Sequence, residues 1–213
     1  MNCELKLKAT APRASVLFLP NIDGPVGVAG GEVFAVGAER HLPHARMSAQ
    51  GFKVLAGGRV PKAHCKDNFN EFVPETFDLI VSLFTFDNVP SAAKVRIFSD
   101  LRNLLRPAGT MVSVVSSPEI YTHEWASFTT QDFPENAAAR SGDVVRIIVT
   151  DHQDRRPVED ILWTDESYWA VYRKASLQAV QVFKPLAKGD EPYSWVNETK
   201  IPPWVIYLLR RAT

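Results

Sequence analysis

Apolar residues in this chain gather into short continuous runs, separated by stretches rich in Pro, Gly and charged residues. Residues 14–20, ASVLFLP, form one such run flanked by Pro12 and Pro20 and read as a buried strand. A second strand-like run, 32–39, ends on Glu39, and 52–56 offers a third. Between them, 41–50 has Pro43 in its first turn and Gly51 after its end, the punctuation of one short helix. The clearest unit follows. Residues 77–86, FDLIVSLFTF, are apolar almost throughout, as in a parallel strand covered on both faces. Ser91 is placed to cap a helix after Pro90, and Val95, Phe98, Leu101 and Leu105 keep helical spacing as far as Arg106. Pro107 stops that helix, Gly109 lets the chain turn, and 110–116, TMVSVVS, is the next strand. Strand, helix and strand in so short a span make a βαβ unit, which implies a right-handed crossover and a largely parallel sheet.

The last third has a different texture. Residues 119–142 show neither helical nor strand periodicity, yet they hold Tyr121, His123, Trp125, Phe128 and Phe133. The run 143–150, DVVRIIVT, reads as a strand. Thr164 followed by Asp165 and Glu166 starts a helix that runs to about Ala175. Two strands, 177–183 and 204–209, close the chain with no helix between them, so they are expected to pair antiparallel.

Composition narrows the functional classes. The chain has 213 residues, enough for one α/β domain with a core, and its apolar fraction of 46% excludes a disordered protein. Lys and Arg number 24 against 24 Asp and Glu, with no basic block, so neither nucleic acid nor a membrane surface is an expected partner. No run is long enough to span a membrane, and two cysteines make no disulfide framework, so a cytoplasmic protein is expected. His41, His44, His64 and Cys65 follow no metal-binding motif, and no metal site is expected.

From residue 75 onward the pattern resembles the class I S-adenosylmethionine-dependent methyltransferases, in particular a small-molecule branch. The resemblance rests on FDLIVSLFTFDNVP (77–90), LRNLLRPAGTMVSVVS (101–116), the closing helix–strand–strand unit and the tail GDEPYSWVNETKIPPWVIYLLRR. It implies a single Rossmann-like α/β domain over 1–213. The sheet would have seven mostly parallel strands and an antiparallel terminal strand, with a lid inserted at about 119–142. It also implies S-adenosylmethionine as cofactor. Gly24 would stand in the cofactor loop, Glu39 would hold the ribose, Asp67 would meet the adenine, and Ser82, Leu83 and Phe84 would line the sulfonium.

The first strand and its loop, VLFLPNIDG, depart from the family pattern: Phe18 stands where an acid is expected, and Pro20 and Ile22 where glycines are. Asp87 and Asn88 follow the strand directly, at the carboxyl end where open α/β sheets bind ligands. Asp87 and His123 are the candidate acid–base groups, and Asn88, Tyr121, Trp125 and Trp195 the candidate substrate contacts. Two functions remain open on these residues. One is methyl transfer to a small molecule by a protein that could form a homodimer. The other is a methyltransferase-like protein that has lost methylation, serving as a cyclase, an isomerase or a binding subunit.

Overall fold

The computed structural model describes residues 16–19, 72–151 and 153–213. The readings at Gly24, Glu39 and Asp67, and the histidines and cysteine between 41 and 65, lie outside the described residues.

Strand β1 (Val16–Leu19) pairs in parallel with β2 (Phe77–Leu83), and β2 in parallel with β3 (Leu105–Ser116). Helix α1 (Ser91–Leu104) makes the crossover between β2 and β3. Ser91 is its first residue rather than its cap; Pro90, in an extended conformation, precedes it. The helix ends three residues before Pro107, whose ring cannot extend it. A Cβ on Gly109 would lie 2.7 Å from Leu105 Cδ1 and 3.1 Å from the Arg106 carbonyl oxygen, and Leu105 is wholly buried. Gly109→Ala should therefore cost about 1–3 kcal/mol of stability in a urea titration. An unchanged midpoint would show that Leu105 can step aside.

After β3 the chain leaves the main sheet. Short 3₁₀ turns at Pro118–Tyr121 and Pro134–Ala138 flank β4 (Phe128–Thr129), and β5 (Val144–Val149) and β6 (Val158–Ile161) follow. These three strands form their own antiparallel sheet in the order β4-β5-β6. The run read as a strand at 143–150 is thus a strand, but outside the main sheet. The loop-rich stretch 119–142 is only the first part of an insertion that continues to residue 163. Val145 and Ile147 turn one face of this small sheet onto Ile120, Tyr121, Trp125, Phe128 and Leu162, giving the insertion a core of its own.

The chain rejoins the main body at α2 (Asp165–Lys174). The Thr164 hydroxyl accepts from the Ser167 N–H, acids fill the first turn, and Arg173 and Lys174 occupy the last. Strands β7 (Leu177–Phe183) and β8 (Trp204–Arg211) complete a sheet in the order β1-β2-β3-β8-β7. Strand β8 lies between β3 and β7 and runs antiparallel to both. Five strands are described in this sheet, with β1-β2 and β2-β3 parallel and β3-β8 and β8-β7 antiparallel, so the described part is mixed rather than mostly parallel; the reversed last strand is present. The main core sits between one sheet face and the two helices, where Ile80, Met111, Val115, Tyr207 and Leu209 meet Phe98, Leu101, Tyr168 and Tyr172. On the opposite face of β3, Val112 and Val114 are also buried.

Candidate functional site

Strands β2 and β3 point their carboxyl ends the same way, and the chain leaving each end supplies polar groups. At the end of β2, Phe84 adopts φ of 53°, uncommon for a bulky residue. Its N–H donates to the Val114 carbonyl at 2.8 Å, and its half-buried ring meets Trp204 edge-on at 5.3 Å. Leu83 is half-buried on the strand face opposite Ser82. Ser82 shares the face of Ile80, and its wholly buried hydroxyl has no hydrogen-bond partner among the described residues.

Asp87 is 5% exposed, and three donors hold its carboxylate. They are the Ser116 N–H at 3.2 Å, the Ser116 hydroxyl at 2.9 Å and the Tyr168 hydroxyl at 3.4 Å. These bonds join the loop after β2 to the end of β3 and to α2. The Asp87 backbone carbonyl accepts from the Ile161 N–H at 2.8 Å, fastening β6 of the insertion to the same loop. Asn88, beside it, is half-buried.

Lys94 completes the cluster from the first turn of α1. It is wholly buried, with Nζ 3.4 Å from the Tyr168 hydroxyl and 3.8 Å above the centre of the Trp163 ring. On the insertion side, the Tyr121 hydroxyl donates to Asp160 at 3.2 Å. Burial pushes the Lys94 ammonium down to about 6 despite the attraction of Asp87 and Asp160. Burial, reinforced by the Asp87 charge, pushes Asp160 up to about 7, and burial raises Asp87 against its hydrogen bonds. The phenols of Tyr121 and Tyr168 are driven well up by burial and stay protonated. Asp160 and Lys94 thus exchange protons in the neutral range, and their titrations are linked to the charge on Asp87.

The other expected site residues are placed elsewhere. His123 is half-buried, with Nδ1 3.1 Å from both the Glu119 carbonyl and the Thr122 hydroxyl, and its ring lies against Trp125. Trp125 donates from Nε1 to the Ile120 carbonyl at 2.9 Å and packs on Phe128, so it anchors the insertion's own core. Trp195 donates to Glu191 at 3.1 Å and rests on Tyr193 in the loop between β7 and β8. A cavity of about 410 Å³ lies at the junction of α2 and β7, lined by Trp169, Arg173, Leu177 and Thr213; none of the expected site residues borders it.

Lys94, Asp160, Tyr168 and Ser116 are the members that sequence reasoning missed. Lys94 did carry a signal: with Ile97, Phe98 and Leu101 it occupies the buried stripe of α1, where a charge is out of place. Among the described residues no group of three or more His, Cys, Asp or Glu could hold a metal ion, and no helix is long and apolar enough to cross a membrane.

No protein-family model and no curated protein matches the chain. Solved structures do. A SAM-dependent methyltransferase from Methanosarcina mazei superposes over 100% of both chains at a TM-score of 0.51, with 11% identity. The architecture is the class I S-adenosylmethionine-dependent methyltransferase fold. Looser likenesses include a putative S-adenosylmethionine-dependent methyltransferase from Listeria monocytogenes, at TM-score 0.49 and 14% identity over 73% of this chain and 72% of that one. Another is a methyltransferase from Clostridium acetobutylicum, at TM-score 0.43 and 11% identity over 72% of this chain. The match spans 66% of the Clostridium chain, just short of two thirds. Within the methyltransferase fold, the Asp87–Lys94–Asp160 cluster lies beyond the carboxyl ends of β2 and β3, where open α/β sheets bind their ligands.

Proposed function

We propose that the chain is an S-adenosylmethionine-dependent methyltransferase acting on a small molecule. The observation that carries this reading is the sheet itself, with β8 reversed between β3 and β7, matched over the full length of the Methanosarcina mazei protein. The described half of the crevice suits the cofactor. Leu83 and Phe84 offer a half-buried apolar wall at the end of β2, and an aromatic face of that kind favours a sulfonium. S-adenosylmethionine, when bound, supplies a methyl group on a positively charged sulfur. The chain's own task is alignment and exclusion of water. Phe84 and Trp204 form an apolar corner, Tyr121 stands under the insertion, and Asp87 fixes the spacing between the ends of β2 and β3. Glu39, Asp67 and Gly24 are the proposed contacts to ribose, adenine and the amino-acid tail, and His123 the proposed base toward the acceptor.

Titration calorimetry with S-adenosylmethionine and S-adenosylhomocysteine tests this. Both should give a saturable heat, and Glu39→Ala should weaken S-adenosylhomocysteine by about 1–3 kcal/mol. A folded protein that gives no heat at millimolar cofactor would sink the proposal. The second reading, a methyltransferase-like protein put to another use, would then stand, and Phe18, Pro20 and Ile22 in the first loop favour it.

A further inference from the structure

The insertion is attached to the main body along two sides that differ in chemistry. Near β4 the attachment is a set of ordinary hydrogen bonds. Glu198 accepts from the Ala126 N–H at 2.6 Å, Asn197 donates to the Glu124 carbonyl at 2.8 Å, and the Ser117 N–H donates to Pro203 at 3.0 Å. Near β6 the Ile161 N–H donates to the Asp87 carbonyl at 2.8 Å and the centre of the Trp163 ring lies 3.8 Å from Lys94 Nζ. Beside them is a polar cluster of Tyr121 and half-buried Asp160 from the insertion and Asp87, Lys94 and Tyr168 from the main body. The order β4-β5-β6 makes the small sheet a plate fixed on the first side and seated on charges on the second.

We propose that the insertion opens from the carboxyl ends of β2 and β3 on its β6 side, pivoting on its Glu198 side, with Asp87, Lys94 and Asp160 forming a proton-controlled joint. Seating β6 buries Asp87 and Lys94 and half-buries Asp160, and the opened state returns them to water.

The direction with pH follows from where the protons sit. Shut, Asp160 keeps its proton up to about pH 7; opened, it gives that proton up near its ordinary value. Raising the pH from 5 toward neutrality therefore favours opening. Shut, Lys94 loses its proton near pH 6; opened, it regains it, so raising the pH from 7 toward 9 favours closure. The joint is loosest near neutral pH. Asp87, raised by burial, acts in the same direction as Asp160. The other titratable groups against the joint among the described residues, the phenols of Tyr121, Tyr168, Tyr172 and Tyr207, are raised by burial and do not titrate in this window.

Amide hydrogen exchange of the ligand-free protein from pH 5 to 9 reads the joint through the Ile161 N–H, which is bonded to the Asp87 carbonyl. After correction for intrinsic rates, the Ile161 opening constant should rise and then fall, by up to about tenfold per pH unit on each limb. The Ala126 N–H, on the pivot side, should stay protected. Asp160→Asn, isosteric with the protonated acid, should make the acid limb shallower, leaving the part that Asp87 contributes, and spare the alkaline one. Lys94→Met should do the reverse where it folds. The proposal fails if Ile161 opens in step with Val112 and Val114 of β3, or if Asp160→Asn keeps the wild-type profile. Because no cofactor is present, these outcomes are independent of the methyltransferase reading.

Discussion

Asp87→Ala should lower stability by about 3–5 kcal/mol, the cost of removing one member of a buried charge set. The substitution strips acceptors from the Ser116 N–H, the Ser116 hydroxyl and the Tyr168 hydroxyl at once, and it takes away the nearest attraction on Lys94. Each donor left unsatisfied in the interior costs about 1–3 kcal/mol where it cannot reach water. Asp87→Asn keeps the shape and one acceptor, so it should cost roughly half as much. The pH dependence separates the charge from the hydrogen bonds. Lys94 carries its charge in the folded protein only below about pH 6, with Asp87 its largest attraction, and the Asp87 carboxyl is itself raised by burial, so the contributions of both groups fade as the pH rises. The difference between Asp87→Ala and wild type should therefore be larger at pH 5 than at pH 8. Urea titrations at the two pH values measure it. A loss below about 1 kcal/mol at pH 5 would mean that the carboxylate does not hold the cluster together.

Much of the scaffold was legible because its signals are local. The run FDLIVSLFTF and the stripe through Phe98 and Leu101 each depend on neighbours in sequence and mark β2 and α1, whereas Pro107 and Gly109, read as a stop and a turn, lie inside β3, which begins at Leu105. The Thr164 cap of α2 was readable for the same reason. The small sheet was not. Strand β6 reads Val-Glu-Asp-Ile, two acids in four residues, and nothing local reveals that Asp160 is half-buried and accepts from the Tyr121 hydroxyl. That placement is set by the Ile161 N–H docking on Asp87, across most of the insertion. The aromatic richness of 121–128 was visible, but its use was not. Trp125 ties the insertion to itself, while Tyr121 serves the polar cluster through Asp160. Asp87 was found by its position after β2, while its bonds to Ser116 at the end of β3 and Tyr168 in α2 join residues too far apart in sequence to be read together.

Phe98→Ala should cost about 3–5 kcal/mol, as expected for a fully buried aromatic whose site cannot collapse. Phe98 has no exposed surface and lies where α1, α2 and the sheet converge. Its ring stacks on Phe86 at 4.2 Å and meets Tyr172 edge-on at 5.1 Å, so truncation removes two aromatic contacts along with the burial. Collapse is obstructed on both sides. Phe86 is set by the chain leaving β2, and Tyr172 is fixed in α2 against Tyr168 and Tyr207. Phe183→Ala supplies the contrast, since that ring is 42% exposed at the end of β7, and its loss should stay within about 1 kcal/mol. Thermal and urea unfolding of the two variants side by side would decide the matter. Similar small losses at both positions would show that α1 and α2 do not close on the sheet as described. The platform that carries Asp87 and Lys94 would then need redrawing, because Lys94 lies one turn before Phe98 on the same helical stripe.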